Sequence, residues 1–273
     1  MVRIDSPDDT YEVGEAIAST ATYRLYLAKE LSSGEWRLLQ VAARSEDGGG
    51  LDRAAFLLER FTAVGTRLDA EHESSHPGER LHYERLHPLL VTSFVYPEQG
   101  NRRINILRLA SVTDLRRIVP LSNLRMKDRL RIDPETSAWI LGRLLKLLEF
   151  THSQGVENRA ITPGNILLDP EQHFAVTLDW SVARIFPGVV PIEHAASDIQ
   201  SATRAVFYAL GGDIRSTSWP YDGHERYIEL LRRLMYVEPI SASEALDQFY
   251  PLVRAEYGNT FHPFTTMPYL RTA

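Results

Sequence analysis

Residues 151–181, which read THSQGVENRAITPGNILLDPEQHFAVTLDWS, constrain the fold more than any other part of the chain. They predict a helix that ends at Gly155, a polar loop that reaches Asn165, a short strand pair, and then the triplet Asp179-Trp180-Ser181. Such a set rarely occurs by chance, because each part must follow the previous one at the right spacing.

Composition limits the classes of protein that this chain can belong to. Its 273 residues suffice for one large domain or two lobes, and a net charge of −6 argues against a general nucleic-acid binder. The absence of cysteine excludes disulfides, thiol catalysis and thiolate metal sites. No apolar run approaches the ~18 residues of a membrane span, and the acidic N-terminus lacks the layout of a signal peptide. We therefore expect a cytoplasmic protein without a membrane span.

Residues 1–110 are predicted to form a small β-rich region that carries one helix. Apolar alternation predicts strands at 23–28, 36–42, 89–96 and 104–109. Apolar residues at helical spacing from Ala54 to Gly65 predict the helix. The polar stretch 69–85 is expected to be a surface insertion or loop, since its histidines match no zinc-site spacing.

Residues 111–257 are predicted to be mainly helical. Asp133-Pro134 is a helix start, with Asp at the N-cap and Pro at the first helical position. Further helices are predicted at 197–210, at 226–236, and after a capping box at Ser241–Glu244. Pro251 is expected to end or kink the last helix.

The tail, residues 258–273, is predicted to be extended and to present aromatic side chains. Phe261, Phe264 and Tyr269 can either pack on the helical region or insert into a protein partner. We favour the partner, because a short aromatic tail is rich in anchor residues.

The chain resembles the eukaryotic-type (Ser/Thr) protein kinase family over about residues 11–252, most strongly at 144–183. In that family H-x-x-G, H-R-D-x-x-x-x-N and D-F-G follow one another, and here they fall on His152–Gly155, Asn158–Asn165 and Asp179–Ser181. Other motifs of that family have counterparts here, at His87-Pro88, Asp198-Ile199 and residues 230–246. The resemblance implies an α+β, bilobal kinase-like fold: a small β-rich N-lobe with one helix and a larger, mainly helical C-lobe.

Much of the family's chemistry is missing at the matching positions. The catalytic aspartate falls on Ala160, whose methyl group cannot accept a proton. The third-strand lysine falls on Gln40, which carries no charge for nucleotide phosphates, and the loop lysine falls on Thr162. The family's glycine-rich loop falls on residues 17–23, which contain no glycine. The stretch after Asp179 is also too short for an activation loop and a substrate platform.

Some positions keep their residue type. Asn165 and Asp179 match two metal-binding positions, and their oxygens suit Mg²⁺, although Asn165 can equally serve a loop hydrogen bond and Asp179 a turn. Glu59 lies where the family's helix glutamate is expected, and either contacts Gln40 or is a solvated charge. Arg24 or Lys29 is the candidate replacement cation.

Two functions follow as hypotheses. The first is a catalytically inactive, bacterial-type pseudokinase that acts as a protein-binding scaffold or allosteric regulator, without a cofactor or a nucleic-acid partner. The alternative is an atypical phosphotransferase that binds ATP with Mg²⁺ through Asp179, Asn165 and a displaced basic residue.

Overall fold

The computed structural model describes residues 2–110, 112, 114–213, 215, 219, 222–236 and 239–268. Antiparallel strands dominate the first part of the chain and helices the second, so the architecture is mixed α+β, as predicted. The chain divides into two compact units. The first unit contains Met1–Val119 and Leu178–Ala183, and the second contains Pro120–Thr177 and Arg184–Ala273.

The first unit is a six-stranded sheet with one long helix. Its elements are β1 (Val2–Asp5), β2 (Thr10–Ser19), β3 (Tyr23–Glu30), β4 (Trp36–Ala42), α1 (Gly48–Ser75), β5 (Leu89–Tyr96) and β6 (Arg102–Arg108). The strand order is β1-β2-β3-β4-β6-β5, with every neighbouring pair antiparallel. The four strands predicted from apolar alternation correspond to β3, β4, β5 and β6 and are confirmed.

Both faces of this sheet carry buried side chains. Leu25 of β3 and Gln40 of β4 are register partners and share one face. Val41 belongs to the opposite face, in a buried cluster with neighbours such as Leu39 and Ile104. Register shifts in β2 on either side of Ala16 mark bulges, which bend the strand and curl the sheet.

Helix α1 extends further than the sequence analysis predicted. The stretch 69–85 was expected to be a loop, but α1 continues to Ser75 before the chain turns back. The reason is Asp69, whose buried carboxylate accepts hydrogen bonds from the backbone N–H groups of Leu81 (3.0 Å) and His82 (2.9 Å). This tertiary contact holds the returning segment on the last turns of the helix.

The second unit is mainly helical. Its elements are α2 (Leu121–Met126), β8 (Leu130–Ile132), α3 (Pro134–Ser153), β9 (Val156–Glu157), β10 (Ile166–Asp169), β11 (Phe174–Thr177), β12 (Arg184–Ile185), α4 (Ile192–Ala209), α5 (Glu225–Tyr236), α6 (Ala242–Tyr257) and β13 (Thr266–Pro268), with β7 (Val119–Pro120) at the boundary between the units. Antiparallel pairs join β10 to β11, β12 to β9 and β13 to β8. Helix α3 is largely buried and packs against both α4 and α6.

Local capping signals were predicted correctly, whereas one helix end was not. Asp133 accepts hydrogen bonds from the N–H groups of Glu135 and Thr136, and Ser241 forms its capping box with Glu244. Pro251 was expected to end or kink α6; it does not end the helix, which continues to Tyr257. Packing of α6 against α3 offsets the hydrogen bond that proline cannot donate.

Two further findings concern the chain as a whole. No helix in the described ranges is long and apolar enough to cross a membrane. The sequence contains no cysteine, so the protein forms no disulfide.

Candidate functional site

Tyr23 and Gln40 are the centre of the candidate site in the first unit. Tyr23 begins β3, and its side chain lies on the same face as Leu25, the register partner of Gln40. Both Tyr23 and Gln40 are fully buried, at 0% exposure. A polar side chain buried this deeply needs hydrogen-bond partners, and those partners determine what the site can bind.

Gln40 takes part in a hydrogen-bond network that connects β4, β6, β5 and α1. Asn105 of β6 donates from Nδ2 to Gln40 Oε1 (3.3 Å) and to the backbone oxygen of Leu51 in α1 (2.9 Å). The Ser93 hydroxyl donates to Asn105 Oδ1 at 2.7 Å. The Gln40 amide therefore helps to hold the sheet on the helix, and it adds no positive charge.

Tyr23 interacts with the Gln40 side chain and with the negative charge of Asp179, and these two groups affect its pKa. Burial raises the pKa of Tyr23 well above the ordinary value, the negative charge of Asp179 raises it further, and the contact with Gln40 opposes this rise. Tyr23 therefore stays neutral, and its ring takes up space beside Gln40 and Asp179.

Asp179 is held in a turn at the start of the triplet that the sequence analysis singled out. Its Oδ1 atom accepts a hydrogen bond from the backbone N–H of Ser181 at 2.8 Å, which is the turn role that the sequence left open. Burial raises the pKa of Asp179, and the bond to Ser181 acts against this rise. The effect of burial is the larger one, so the Asp179 carboxylate is less acidic than an exposed aspartate.

The same triplet is anchored to α1 by aromatic and polar contacts. The fully buried Trp180 ring packs edge-on against Phe61, with centroids 4.9 Å apart, and Phe61 also contacts His87 at 5.5 Å. Arg53 donates from Nη1 to the backbone oxygen of Ser181 at 2.9 Å. These contacts give the segment 178–183 a fixed position in the first unit.

The charged residues proposed to assist Gln40 lie elsewhere in the first unit. Glu59 is exposed on α1, while Gln40 bonds to Asn105, so the suggested Gln40–Glu59 contact is absent among the described residues. Arg24 is the register partner of Val41 and therefore lies on the sheet face opposite Gln40. Lys29 is four residues beyond Leu25 on β3, roughly 14 Å along the strand. These placements argue against Arg24 and Lys29 as replacements for the missing lysine.

The loop that carries Ala160 belongs to the second unit and is held by Asp198 of α4. The buried Asp198 carboxylate accepts hydrogen bonds from the N–H groups of Asn158 (2.6 Å) and Arg159 (2.9 Å). It also contacts His152 Nε2 at 3.1 Å. Arg159 has a positive φ of 65°, a conformation that these bonds help to maintain. The Asp198 side chain thus holds the loop in place without a carboxylate at position 160.

Asn165 stabilises the same loop from its other end. Its Nδ2 atom donates to the backbone oxygen of Ala160 at 2.8 Å, which is the loop role that the sequence left open. Ala160 itself is buried, and its N–H donates to the Asn158 side chain at 2.9 Å. Thr162 is exposed, and its backbone oxygen accepts from the N–H of Asn165. Ala160, Thr162 and Asn165 carry no carboxylate that could take the place of the missing catalytic aspartate.

The short segment before α4 is docked on the turn after α3. Phe186 donates from its backbone to Gly155 O at 2.8 Å, and Val190 donates to His152 O at 3.0 Å. Gly155 has a φ of +72°, and a side chain there would overlap the carbonyl oxygens of the docked segment. This segment nevertheless exposes apolar side chains, namely Ile185 (46%), Val189 (69%) and Ile192 (43%).

The aromatic residues of the tail lie on the helical unit. Phe261 stacks on His173, with ring centroids 4.2 Å apart, and Phe264 contacts Trp139 at 6.3 Å. Phe261 is nevertheless 74% exposed, so most of its surface is accessible. Tyr269 lies outside the described residues. Partner binding by these side chains stays a prediction.

Sequence reasoning missed Asn105 and the bracing role of Asp198. Asn105 interrupts the apolar run of β6 between Ile104 and Ile106, and a lone polar residue in such a run is a recognisable signal of a buried hydrogen bond. Asp198 had been matched only as a helix landmark, and no local pattern connects it with residues 158–159. Within the described parts of the chain, no group of three or more His, Asp or Glu side chains is placed to hold a metal ion.

Comparison with known proteins gives a distant similarity to a protein kinase. CBL-interacting protein kinase 4 from Oryza sativa subsp. japonica is 27% identical to this chain over 175 residues, which cover 64% of the chain and 33% of the relative. This similarity indicates a distant kinase-like relation. The chain thus matches about a third of the length of that relative, and no family model matches the chain.

Proposed function

We propose that this protein has a bilobal kinase-like fold and acts as a pseudokinase, a binding module that does not transfer phosphate. The distant kinase similarity, the strand-rich first part and the helical second part support the fold. The function is supported by the side chains that replace the phosphate-binding and proton-accepting groups of an active kinase.

The arrangement of Tyr23 beside Gln40 carries the proposal. A nucleotide polyphosphate needs positive charge and closely approaching backbone N–H groups. Here the lysine position holds a neutral Gln40 that is already bonded to Asn105, and the adjacent Tyr23 ring is fully buried next to Asp179. The lysine position thus offers no positive charge, and neither Tyr23 nor Asp179 adds any, so this arrangement does not suit phosphates.

The loop around Ala160 supports the same conclusion independently. Asn158, Arg159 and Asn165 are held by hydrogen bonds that keep the loop ordered, but the side chain at 160 is a methyl group. The loop therefore keeps its hydrogen bonds, but position 160 has no group that can orient or deprotonate a substrate hydroxyl. The alternative, an atypical ATP-dependent phosphotransferase, loses its candidate cation because Arg24 lies on the other sheet face.

Nucleotide binding is tested by thermal unfolding with and without millimolar ATP and Mg²⁺. A ligand at 100 times its Kd would stabilise the folded state by about 2.7 kcal/mol, which raises the Tm of a chain of this size by roughly 5–10 °C. We expect no such shift and no autophosphorylation. A shift that disappears in Asp179→Asn would overturn the proposal, and so would phosphate transfer from labelled ATP.

The second part of the proposal is that the protein binds a protein partner. Exposed apolar side chains at Ile185, Val189 and Ile192, close together in the sequence, support it, because exposed apolar surface can mark an interaction site. Val189→Asp should remove a protein that co-purifies with the wild type, whereas Met126→Asp, at a position that is equally exposed (69%), should not. Equal recovery from both variants would contradict this surface. The cytoplasmic location stays a prediction.

A further inference from the structure

A cavity of about 340 Å³ lies in the second unit, and its described lining contains none of the kinase-like positions discussed above. It is bounded by α3, by the end of α6 and by the chain that follows α6. Its size falls within the range of small-molecule sites, roughly 300–1,000 Å³. The side chains that matter most for its chemistry are Trp139, Arg143, Lys146, Tyr250 and Phe261.

The walls of the cavity are aromatic. The Phe261 ring stacks on His173 (4.2 Å, 13° between planes), and His173 stacks on Trp139 (4.7 Å, 7°). Because Phe261 is 74% exposed, His173 covers only part of its ring and the remaining surface is open to a ligand. Tyr250 of α6 adds a further ring to the lining. Walls of this kind favour a planar aromatic group, which can stack on them.

The charged side chains of the lining favour an anion. Arg143 and Lys146 lie three residues apart on α3, and therefore on neighbouring positions of one helix face. Lys146 is exposed, and its Nζ atom is 5.4 Å from the centre of the Tyr250 ring. The single acidic residue of the described lining, Glu135, is 3.1 Å from His262 Nδ1 and is engaged there. Lys146 thus supplies a positive charge beside the aromatic walls.

We propose that this cavity is a binding site for a small planar aromatic anion, a ring system that carries a carboxylate, sulfonate or phosphate group. The rings of Phe261 and Tyr250 hold the aromatic part, and Lys146 holds the anionic group. The site uses no residue from the Tyr23, Ala160 or Asp179 positions, so it does not depend on the proposed function.

The test is a fluorescence titration of the full chain with 1-anilinonaphthalene-8-sulfonate, an aromatic sulfonate built on a planar naphthalene ring. We expect saturable binding with one site per chain. N-phenyl-1-naphthylamine, which has the same rings without the sulfonate, should bind at least fivefold more weakly. Lys146→Gln should weaken sulfonate binding about fivefold to tenfold, since it removes one charge contact at a partly exposed site.

Matched variants separate the cavity from general surface binding. Phe261→Ala should weaken both probes at least threefold, because both use the aromatic wall. Lys127→Gln and Met126→Ala alter an exposed cation and an exposed apolar side chain outside the described lining, and they should leave both titrations unchanged. Unchanged Tm values for Lys146→Gln and Phe261→Ala would show that the variants fold. No saturable binding, equal affinity for the two probes, or sulfonate binding unaffected by Lys146→Gln and Phe261→Ala would overturn the proposal.

Discussion

Asp198→Ala should destabilise the second unit strongly, because one buried carboxylate is the partner of three donors. Asp198 accepts from the N–H groups of Asn158 (2.6 Å) and Arg159 (2.9 Å), and it lies 3.1 Å from His152 Nε2. The aspartate is 2% exposed, so water does not readily replace the lost oxygens. Alanine leaves all three donors unpaired at this position.

The magnitude follows from the number of donors. A buried donor that loses its partner costs about 1–3 kcal/mol, and neighbouring losses do not add fully, so we expect a total of about 3–6 kcal/mol. Asp198→Asn keeps the size of the side chain and one acceptor oxygen but turns an N–H₂ group toward the donors. It should cost less than Asp198→Ala, about 2–3 kcal/mol.

Urea denaturation and backbone hydrogen exchange measure the effect. Exchange of the Asn158 and Arg159 amides should accelerate at least a hundredfold in Asp198→Ala, which corresponds to about 2.7 kcal/mol of local stability. Asp247→Ala, at an exposed position of α6, is the matched control and should change neither measurement by more than about 0.5 kcal/mol. A loss below about 1 kcal/mol for Asp198→Ala would refute the argument that this carboxylate holds the loop.

Three further perturbations test other parts of the fold. Burial lowers the pKa of His87 from 6.5 to about 4, so the unfolded state binds more protons between these values. The unfolding free energy should therefore fall by up to about 1.4 kcal/mol per unit as pH drops through this window, and His87→Gln should remove that slope; an identical slope in the variant would contradict the assignment. Pro251→Ala should raise the unfolding free energy by about 1–3 kcal/mol, since it restores a helical hydrogen bond inside α6, and a lower Tm would argue against this. Gly155→Ala should cost about 2 kcal/mol or more because its side chain would meet the docked segment, whereas Gly188→Ala, also at positive φ but with open space around it, should cost only about 1 kcal/mol; equal losses would show that the close approach does not matter.

Much of the local structure could be predicted because its signals lie close together in the sequence. The cap at Asp133, the capping box at Ser241 and the strands β3 and β4 depend on neighbouring residues and on strand periodicity. The predicted helix bounds were wrong where a contact between residues far apart in the sequence outweighs the local pattern. Asp69 extends α1 by binding the returning chain, and packing of α6 retains Pro251 within a helix.

Which chemical groups are available follows from the residue types alone. Ala160 offers no proton acceptor and Gln40 no positive charge, whatever the fold, because these properties belong to the side chains themselves. Which of the remaining groups meet depends on how the chain folds. Sheet register places Arg24 on the face opposite Gln40, and strand pairing together with burial brings Tyr23 beside Gln40 and Asp179. Register and burial depend on contacts between residues far apart in the chain, which no local pattern specifies.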